Sequence, residues 1–315
     1  MAARSSVSIV VPTRNRPHDA DACVAALLAI PERFQLVVID QSDGPATRQT
    51  LERHMPDARL RYVTTVSRGV SAARNLGIAV SRAQLVAFTD DDCRVSGDWL
   101  TRLTAIFDAD LTVAAVCGRV RTPAGSAGIG YAAGFDPHRR EYAGRLPPAG
   151  EDWGLSANLA IRRDVLSRVG WFDEMLGAGA PLRSGAEYDL LFRIWRAGLK
   201  VINAREVEVL HLGVRPYGPK TQALFHGYGI GVGAAFIKHV RLGDREGIRL
   251  YAQWLFRCLS WVVNGFVRNR RPAGVRFTIG FLRGSLMSLR YEIDGPKRMY
   301  VPRSGRQLPS REEVL

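Results

Sequence analysis

The sequence has few cysteines, and none is placed as a disulfide framework or a zinc site requires. The four cysteines among 315 residues, Cys23, Cys93, Cys117 and Cys258, are far apart, with no CxxC pair and no close histidine. This spacing argues against the small disulfide-rich class of protein and indicates a reducing compartment. A content of 46% hydrophobic and 23% charged residues is typical of a globular chain, not of a disordered one.

A secretory signal and a long apolar run are also missing. Residues 1–8 lead directly into a strand pattern, without a basic stretch followed by an apolar one, so we expect no signal peptide. Residues 251–267 and 275–291 are rich in aromatic residues but shorter than the ~20 apolar residues of a spanning helix, and Arg257 and Arg283 interrupt them. Such segments are typical of helices in a membrane interface or of a helical hairpin packed on a soluble domain, and the sequence leaves both open.

The positive charge is concentrated in the last third of the chain. The net charge is +14, and residues 215–315 carry 18 Lys and Arg against 6 Asp and Glu, a surplus of +12. Such an asymmetry predicts an anionic partner for this third: membrane phospholipid, nucleic acid or a phosphorylated substrate.

The first 120 residues alternate strand and helix patterns. Strands are predicted at 7–11, 36–39, 60–63, 84–88 and 113–117, and helices after Pro17, at 70–80 and at 98–107, the last with Asp98 as a cap. This alternation predicts an α/β fold with a mostly parallel central sheet and helices on both faces. Residues 122–154 lack periodicity and are typical of a functional loop. Beyond them we expect a helix at 186–197 closed by Gly198, and strands at 200–203 and 206–210.

The acidic run Asp90-Asp91-Asp92 directly follows the predicted strand at 84–88. Three adjacent carboxylates repel one another, so the run is either a solvated turn or a site where a cation neutralises it. Its position at the carboxyl edge of a parallel sheet, where open α/β sheets bind ligands, favours the second interpretation. Hard oxygen ligands near phosphates are how Mg²⁺ or Mn²⁺ is usually held.

Three further polar segments are predicted at the same edge of the sheet. They are residues 12–16, Asp40 with Ser42 and Asp43, and residues 69–75. Together with the acidic run they suit a nucleoside diphosphate: a carboxylate for base and ribose, an arginine for the diphosphate, and acidic residues for a bridging metal. Arg16 is expected to be a surface charge.

Six ordered motifs give the chain a resemblance to a known family. The segments VSIVVPTRNR, VVIDQSDG, GVSAARNLGI, VAFTDDDC, SANLAIRRDVLSRVGWFDE and EYDLLFRIWRAGLKV resemble those of family 2 glycosyltransferases of the GT-A fold, over about residues 7–211. The resemblance implies a Rossmann-like nucleotide-sugar domain and inverting transfer from a nucleotide-diphosphate sugar to an acceptor hydroxyl. It also implies a divalent metal, Mg²⁺ or Mn²⁺, held by an Asp-x-Asp element.

The resemblance and the strand-end positions together give a set of candidate site residues. The metal ligands are Asp90 and Asp92, with His211 as a further candidate because related enzymes often have a metal-ligating histidine near this position; a structural histidine is the alternative. Within the run, we expect Asp90 and Asp92 to face nucleotide and metal, and Asp91 either to join the nucleotide contacts or to point away. The nucleotide-binding candidates are Pro12, Thr13, Arg14, Asp40, Arg74, Asp90 and Asp91.

The catalytic base is less clearly marked. The family has a Glu-Asp pair before an Asp-Leu-x-x-Arg sequence, with the second carboxylate as base; here the pair reads Ala186-Glu187 before Asp189. The resemblance therefore implies Glu187 as base and departs from the pattern at Ala186. Asp189 is a second candidate, and Glu187 as a helix-start residue favoured by the helix dipole is the structural alternative.

These assignments predict two regions and a set of partners. Residues 1–214 would form the catalytic domain, with nucleotide-sugar binding in about 1–120 and the acceptor and base half in about 121–214; residues 215–315 would form a basic helical region. The donor would be a UDP-, GDP- or dTDP-sugar, and the acceptor a lipid-linked or cell-envelope glycan or, alternatively, a soluble metabolite. We expect a cytoplasmic protein in peripheral contact with an anionic membrane, and no nucleic acid.

Two other classes remain open on the sequence. A nucleotidyltransferase would normally have a Gly-rich phosphate loop after the first strand, and residues 12–16 contain no glycine. A basic membrane-binding protein on an inactive glycosyltransferase scaffold is the non-enzyme alternative, against which the intact acidic run and Glu187 argue.

Overall fold

The computed structural model describes residues 6–137, 140–142, 153–269 and 274–301. Its strands are β1 (Val7–Thr13), β2 (Gln35–Asp40), β3 (Leu60–Thr64), β4 (Leu85–Phe88), β5 (Cys93–Val95), β6 (Val113–Arg121), β7 (Gly130–Ala132), β8 (Arg140–Tyr142), β9 (Leu159–Arg162), β10 (Lys200–His211), β11 (Val214–Pro216), β12 (Glu292–Asp294) and β13 (Met299–Val301). Its α-helices are α1 (Pro17–Leu28), α2 (Ala46–Leu51), α3 (Val70–Val80), α4 (Trp99–Ala109), α5 (Ser126–Ile129), α6 (Arg163–Val169), α7 (Ala186–Arg196), α8 (Pro219–Arg241), α9 (Arg245–Asn269) and α10 (Val275–Met287).

One large mixed sheet organises the fold, in the order β3-β2-β1-β4-β9-β6-β10-β5, with β8 also beside β10. Strands β3, β2, β1 and β4 are parallel, as are β6 and β10, whereas β9, β5 and β8 pair antiparallel to their neighbours. The α/β fold class with a mostly parallel sheet is therefore confirmed. The two strands expected at 200–203 and 206–210 are parts of the single strand β10.

The central strands of the sheet are buried because they are apolar on both faces. All seven residues of β1 are buried, as expected for a strand with layers on either side. Helix α3 lies close against this strand, since Gly77 has no Cβ and Val10 occupies the space that one would need. This packing fixes the start of α3 beside the carboxyl ends of β1 and β2.

The C-terminal region contains a helix that the sequence reasoning missed. Helix α8 includes Gly229 and Gly233, and glycine costs about 1 kcal/mol relative to alanine in a helix interior, which hid the pattern. The glycines are needed because α10 crosses α8 backbone to backbone: a Cβ at Gly229 would overlap with Phe277, and one at Gly284 with Ile230. The expected helices at 251–267 and 275–291 are present within α9 and α10, the latter ending at Met287.

Within the described residues, no helix combines the length and the hydropathy needed to cross a membrane. Of the segment 122–154 predicted as a loop, residues 138–139 and 143–152 lie outside the described residues; the rest includes α5, β7 and β8. Asp98 stands at the N-cap position of α4 but makes no capping hydrogen bond, because its carboxylate accepts from Ser96 and Arg102 instead. Gly198 follows α7 in the left-handed conformation, as expected.

Candidate active site

The middle residue of the acidic run points into the protein. Asp91 Oδ2 accepts a hydrogen bond of 2.8 Å from Thr13 Oγ1, at the end of β1, and its Oδ1 lies 2.9 Å from Arg16. Arg16 is exposed, as expected of a surface charge, and it also reaches Asp92 at 3.1 Å. Burial raises the pKa of Asp91 to about 6, although Arg16 and Thr13 favour its charged form. Asp91 therefore links the ends of β1 and β4 instead of facing solvent.

Sheet pairing brings His211 to the third carboxylate of the run. Strand β5 begins at Cys93, directly after the acidic run, and pairs antiparallel with the end of β10. In this pairing Cys93 lies opposite His211. As a result His211 Nε2 lies 3.2 Å from Asp92 Oδ1, while its Nδ1 is 3.1 Å from the carbonyl oxygen of Ala133. Burial by itself would raise the pKa of Asp92 and lower that of His211, but their mutual hydrogen bond and charges outweigh it and shift both in the opposite direction.

The donor atoms of Asp92 and His211 suit a divalent metal such as Mn²⁺, which accepts carboxylate and imidazole ligands. Gly213 leaves space beside them, because a Cβ there would lie 2.7 Å from Asp92 Oδ2 and 3.1 Å from His211 Nε2. No group of three or more His, Cys, Asp or Glu in the described ranges is arranged as a complete metal site. The residues present thus fit a metal whose remaining ligands come from a bound substrate and water.

The first carboxylate of the run faces the other side of the edge. Asp90 Oδ1 lies 2.7 Å from Arg74, whose side chain is only 3% exposed. The buried Nε of Arg74 has no hydrogen-bond partner in the part of the chain that the structure describes. A buried donor left without a partner costs about 1–3 kcal/mol, and an anionic ligand at this edge would satisfy it.

Glu187 lies within the electrostatic reach of the same residues. It stands in the first turn of α7, after Gly185 in the left-handed conformation, and is half-buried. Burial raises the pKa of Glu187; the negative charge of Asp90 adds to this, and the positive charge of Arg74 opposes it. The predicted base therefore lies within electrostatic reach of the Arg74–Asp90 pair, and its raised pKa suits general-base chemistry.

Asp189, the second candidate base, occupies a different environment. It is completely buried and contacts Arg193 at 3.0 Å, Lys238 at 2.7 Å and His239 at 3.1 Å. Despite burial, the positive charges of Lys238 and Arg193 and the hydrogen bond with His239 hold the pKa of Asp189 below its usual range. A carboxylate so enclosed has no surface for an acceptor, so its position argues against a role as base. The sequence could not reveal this, because two of its partners come from α8, about 50 residues away.

The remaining candidates line the outer part of the edge. Asp40, at the end of β2, is buried and accepts hydrogen bonds from Tyr62 and from the backbone N–H of Ser42. Arg14 is half-exposed and lies 3.2 Å from Asp43, so its guanidinium points along the rim instead of into the acidic run. Pro12 is buried within β1 next to Thr13. These positions surround one continuous edge with Asp91, Asp92 and Arg74.

Comparison with known protein families shows which family the chain belongs to. The family model for glycosyl transferase family 2 matches residues 8–170, just over half of the chain. The chain belongs to glycosyl transferase family 2. The resemblance stated from the six motifs is therefore confirmed, and with it the class of enzyme.

Relatives of known sequence agree with this family assignment. The chain is 35% identical over 173 residues to the succinoglycan biosynthesis protein ExoM of Rhizobium meliloti, and the match covers 52% of this chain and 54% of that protein. It is 25% identical over 269 residues to glycosyltransferase AglE of Haloferax volcanii, covering 83% and 81% of the two chains. A pre-mycofactocin glycosyltransferase of Mycobacterium tuberculosis is 30% identical over 201 residues, 62% of this chain and 40% of that one. The chain thus spans about half or less of the length of two of these three relatives.

Solved structures share the fold at low sequence identity. A mannosyltransferase of Pyrobaculum calidifontis, solved with GDP-Man and Mn²⁺, superposes with a TM-score of 0.60 at 17% identity, covering 91% of this chain and 88% of that one. TarS of S. aureus, solved with UDP-GlcNAc, gives 0.61 at 16% identity, with 89% and 79% covered. At such identities the likeness establishes the GT-A fold alone.

Proposed function

We propose that the protein transfers a sugar from a UDP-, GDP- or dTDP-sugar to an acceptor hydroxyl, with inversion at the anomeric carbon. The observation that carries this proposal is the half-buried Glu187 at the start of α7, within electrostatic reach of the Arg74–Asp90 pair at the carboxyl edge of the sheet. Solved proteins of the same fold hold GDP-Man or UDP-GlcNAc, which supports a nucleotide-sugar donor.

The proposed chemistry is a single displacement. The acceptor oxygen forms a bond to the anomeric carbon while the bond from that carbon to the diphosphate oxygen breaks, and the nucleoside diphosphate leaves with the electron pair. Glu187 takes the proton of the acceptor hydroxyl. The pKa of Glu187 is raised towards the operating pH. A general base is most effective when its pKa lies near that pH.

The leaving diphosphate needs positive charge around it. Arg74 supplies a buried guanidinium with a free donor atom, and Thr13 and Arg16 hold Asp91 so that the run keeps its shape. Asp92 and His211, with Asp90 nearby, would hold a divalent metal, Mg²⁺ or Mn²⁺. Such a metal supplies electrostatic stabilisation of the charge that develops on the leaving group.

A donor screen tests this proposal. We expect one class among UDP-, GDP- and dTDP-sugars to raise the melting temperature of the protein, and more strongly with Mn²⁺ than with EDTA. NMR of the product should then find an anomeric configuration opposite to that of the donor. No stabilisation by any nucleotide sugar would contradict donor binding, and retention of configuration would contradict the single displacement.

We also propose that helices α9 and α10 rest on an anionic membrane. The outward side of α9 presents apolar residues where a soluble helix presents charges: Phe256, Leu259, Val263 and Phe266 are each more than half exposed. On α10, Ile279, Leu282 and Leu286 form a similar exposed row. Residues 247–291 contain eight arginines and no aspartate or glutamate, so the charge of this surface complements anionic lipid.

Vesicle flotation tests the membrane contact. We expect binding to vesicles of phosphatidylcholine with phosphatidylglycerol, and weak binding to phosphatidylcholine alone. The double substitution Phe256→Asn and Phe266→Asn should abolish flotation, whereas Val66→Asn, an exposed apolar residue (86%) in the sheet domain, is the control. Equal flotation of both variants would contradict this surface. Transfer to a soluble acceptor with no dependence on vesicles would favour a metabolite as substrate.

A further inference from the structure

A group of basic side chains lies along the start of α8, beside the segment that leads to Glu187. Arg183 adjoins Gly227, where a Cβ would lie 3.7 Å from the Cβ of Arg183. On the other side, α10 approaches so closely that a Cβ at Gly280 would overlap with the carbonyl oxygen of His226. Arg276 and Arg283 stand four residues before and three residues after Gly280, and residues so spaced share one face of a helix. Arg183, His226, Arg276 and Arg283 are called the basic cluster here.

No carboxylate among the described residues balances the basic cluster. Within the described ranges, Arg183, Arg276 and Arg283 make no hydrogen bond or ion pair through their side chains, and all three are exposed. Partial burial and then the charges of these three arginines lower the pKa of His226. The three arginine charges around His226 have no acidic partner among the described residues and repel one another, and an anion bound among them removes that repulsion.

Two contacts with α8 connect the segment that carries the basic cluster to the segment that carries the proposed base. Ser184 Oγ donates to the carbonyl oxygens of Gly227 and Tyr228 at 3.3 and 3.2 Å. One residue on, a Cβ at Gly185 would lie 2.8 Å from the carbonyl oxygen of Gly231. The chain from Arg183 to Glu187 therefore runs alongside the first half of α8, with the basic cluster at one end and Glu187 at the other.

Aromatic rings lie beside the basic cluster at the start of α8. Tyr131, Phe225 and Tyr228 form a three-ring group, with centroids 4.8 Å apart for Tyr131 and Phe225 and 6.1–6.2 Å for the other two pairs. Burial is the main cause of the raised pKa of Tyr228, and the charge of Glu187 adds to it, so Tyr228 lies within electrostatic reach of the base. Aromatic faces bury the apolar C–H surface of a ligand.

We infer that the basic cluster binds a phosphate group of the acceptor, so that the acceptor of this enzyme is a phosphate-bearing molecule. The inference rests on the proposed transfer reaction, because it takes Glu187 to mark the acceptor side. Arginines bind phosphate oxygens with paired, charge-assisted hydrogen bonds, and an exposed set of three gives more than one such fork. The phosphate can belong to a lipid-linked acceptor, since α10 also carries the apolar row proposed to face the membrane, or to a soluble phosphorylated acceptor.

Binding of inorganic phosphate tests the site without relying on activity. The full chain, saturated with Mg²⁺ and the nucleoside diphosphate found in the donor screen so that the strand-end site is occupied, is titrated with inorganic phosphate by ³¹P NMR. In the double variant Arg276→Gln and Arg283→Gln we expect affinity to fall at least ~10-fold, as loss of charge-assisted hydrogen bonds predicts. Arg276→Lys with Arg283→Lys keeps the charge and should recover part of the affinity.

A matched variant separates the basic cluster from general charge. Arg249→Gln with Arg290→Gln also removes two exposed arginines from the C-terminal helices and should bind phosphate like the wild type. Equal loss in both double variants, or no loss in either, would overturn the inference. The same proteins are then tested on phosphatidylcholine vesicles with and without phosphatidic acid. Cluster-dependent binding to the phosphatidic acid vesicles assigns the site to a lipid phosphate, and binding of inorganic phosphate alone assigns it to a soluble one.

The outcome also distinguishes failure of this site from failure of the proposed reaction. If the wild type binds no nucleotide sugar, the titration is run without nucleotide; cluster-dependent phosphate binding then leaves an anion site, and the acceptor assignment falls with the proposed function. If the wild type binds donor and the two double variants bind phosphate equally, the transfer reaction stands and the basic cluster is refuted.

Discussion

Two groups of charged residues in this molecule use similar side chains in opposite ways. At the carboxyl edge of the sheet, the strand-end cluster of Arg16, Arg74, the acidic run and His211 is partly open: Asp90 is 31% exposed and Arg74 Nε has no partner among the described residues. Behind α7, the buried network of Asp173, Asp189, Arg193, Lys238 and His239 is closed, and every one of these residues is almost fully buried. The open cluster has donors and acceptors left for a ligand at an accessible edge. The closed network has only His239 Nδ1 left without a partner among the described residues, and that atom is fully enclosed.

The comparison also explains where α8 belongs. Lys238 Nζ lies 2.6 Å from Asp173 and 2.7 Å from Asp189, both in the sheet domain, and Tyr300 of β13 donates its backbone N–H to Asp173. The boundary at residue 215 stays a prediction from composition; in the structure, buried ion pairs join the two sides of it. The buried network thus holds α7, and with it Glu187, against the C-terminal helices.

The largest expected effect is on the transfer rate and comes from a substitution beside the open strand-end cluster. Glu187→Gln removes the proposed base but keeps the size of the side chain, so we expect the transfer rate to fall about 10²–10⁴-fold, the usual contribution of a general base. Donor affinity, measured by thermal shift or calorimetry, should be nearly unchanged. A transfer rate close to that of the wild type would show that another group takes the proton.

The pH dependence of the same reaction sharpens this assignment. Because the pKa of Glu187 is raised, the carboxylate is protonated, and inactive as a base, at a pH where an ordinary glutamate is still charged. We expect the transfer rate at low substrate to fall on the acid side above the ~4.3 of a free glutamate. An acid limb at or below that value would contradict the buried environment of Glu187.

Breaking the closed side should affect stability instead of chemistry. Lys238→Met leaves Asp173 and Asp189 buried without their shared cation, so we expect a loss of about 3–5 kcal/mol in the free energy of unfolding. Urea denaturation measures it, with Lys220→Met at the start of α8 as the control for loss of a lysine. A loss below about 1 kcal/mol would mean that the network does not hold α8 in place.

A smaller effect concerns acid stability. Burial, helped by the charges of Lys238 and Arg193, lowers the pKa of His239 from 6.5 to about 4, against the opposing charge of Asp189. Below the ordinary histidine pKa, the unfolded chain binds a proton that the folded one does not, so stability is lost as the pH falls from 6.5 towards 4. We expect His239→Gln to flatten the dependence of melting temperature on pH in that window. An unchanged slope would exclude His239 as its source.

Local sequence was sufficient for most of the open cluster and for little of the closed one. Thr13, Asp40, Arg74 and the acidic run each end a strand or begin a helix, and parallel topology alone collects such positions at one edge. Arg16 is at the surface as expected, but its contact with Asp91 was not predicted, because that contact depends on the direction in which the chain turns before Pro17.

The burial of Asp189 depends on α8, a helix whose glycines concealed it and are explained only by the close crossing with α10. Contacts over such sequence distances leave no periodic signal. The outward apolar rows of α9 and α10 show the same limit: the pattern predicted the helices, and only the packing reveals which apolar residues remain exposed.

The central claim is that the strand-end cluster binds a nucleotide-sugar donor together with a divalent metal. Calorimetric titration of the wild type and of Asp92→Ala with the best donor, with and without Mn²⁺, tests it most directly, with Glu187→Gln as the control that should bind like the wild type. We predict Mn²⁺-dependent donor binding in the wild type and in Glu187→Gln, and its loss in Asp92→Ala. Undiminished binding by Asp92→Ala in the presence of Mn²⁺ would contradict the account.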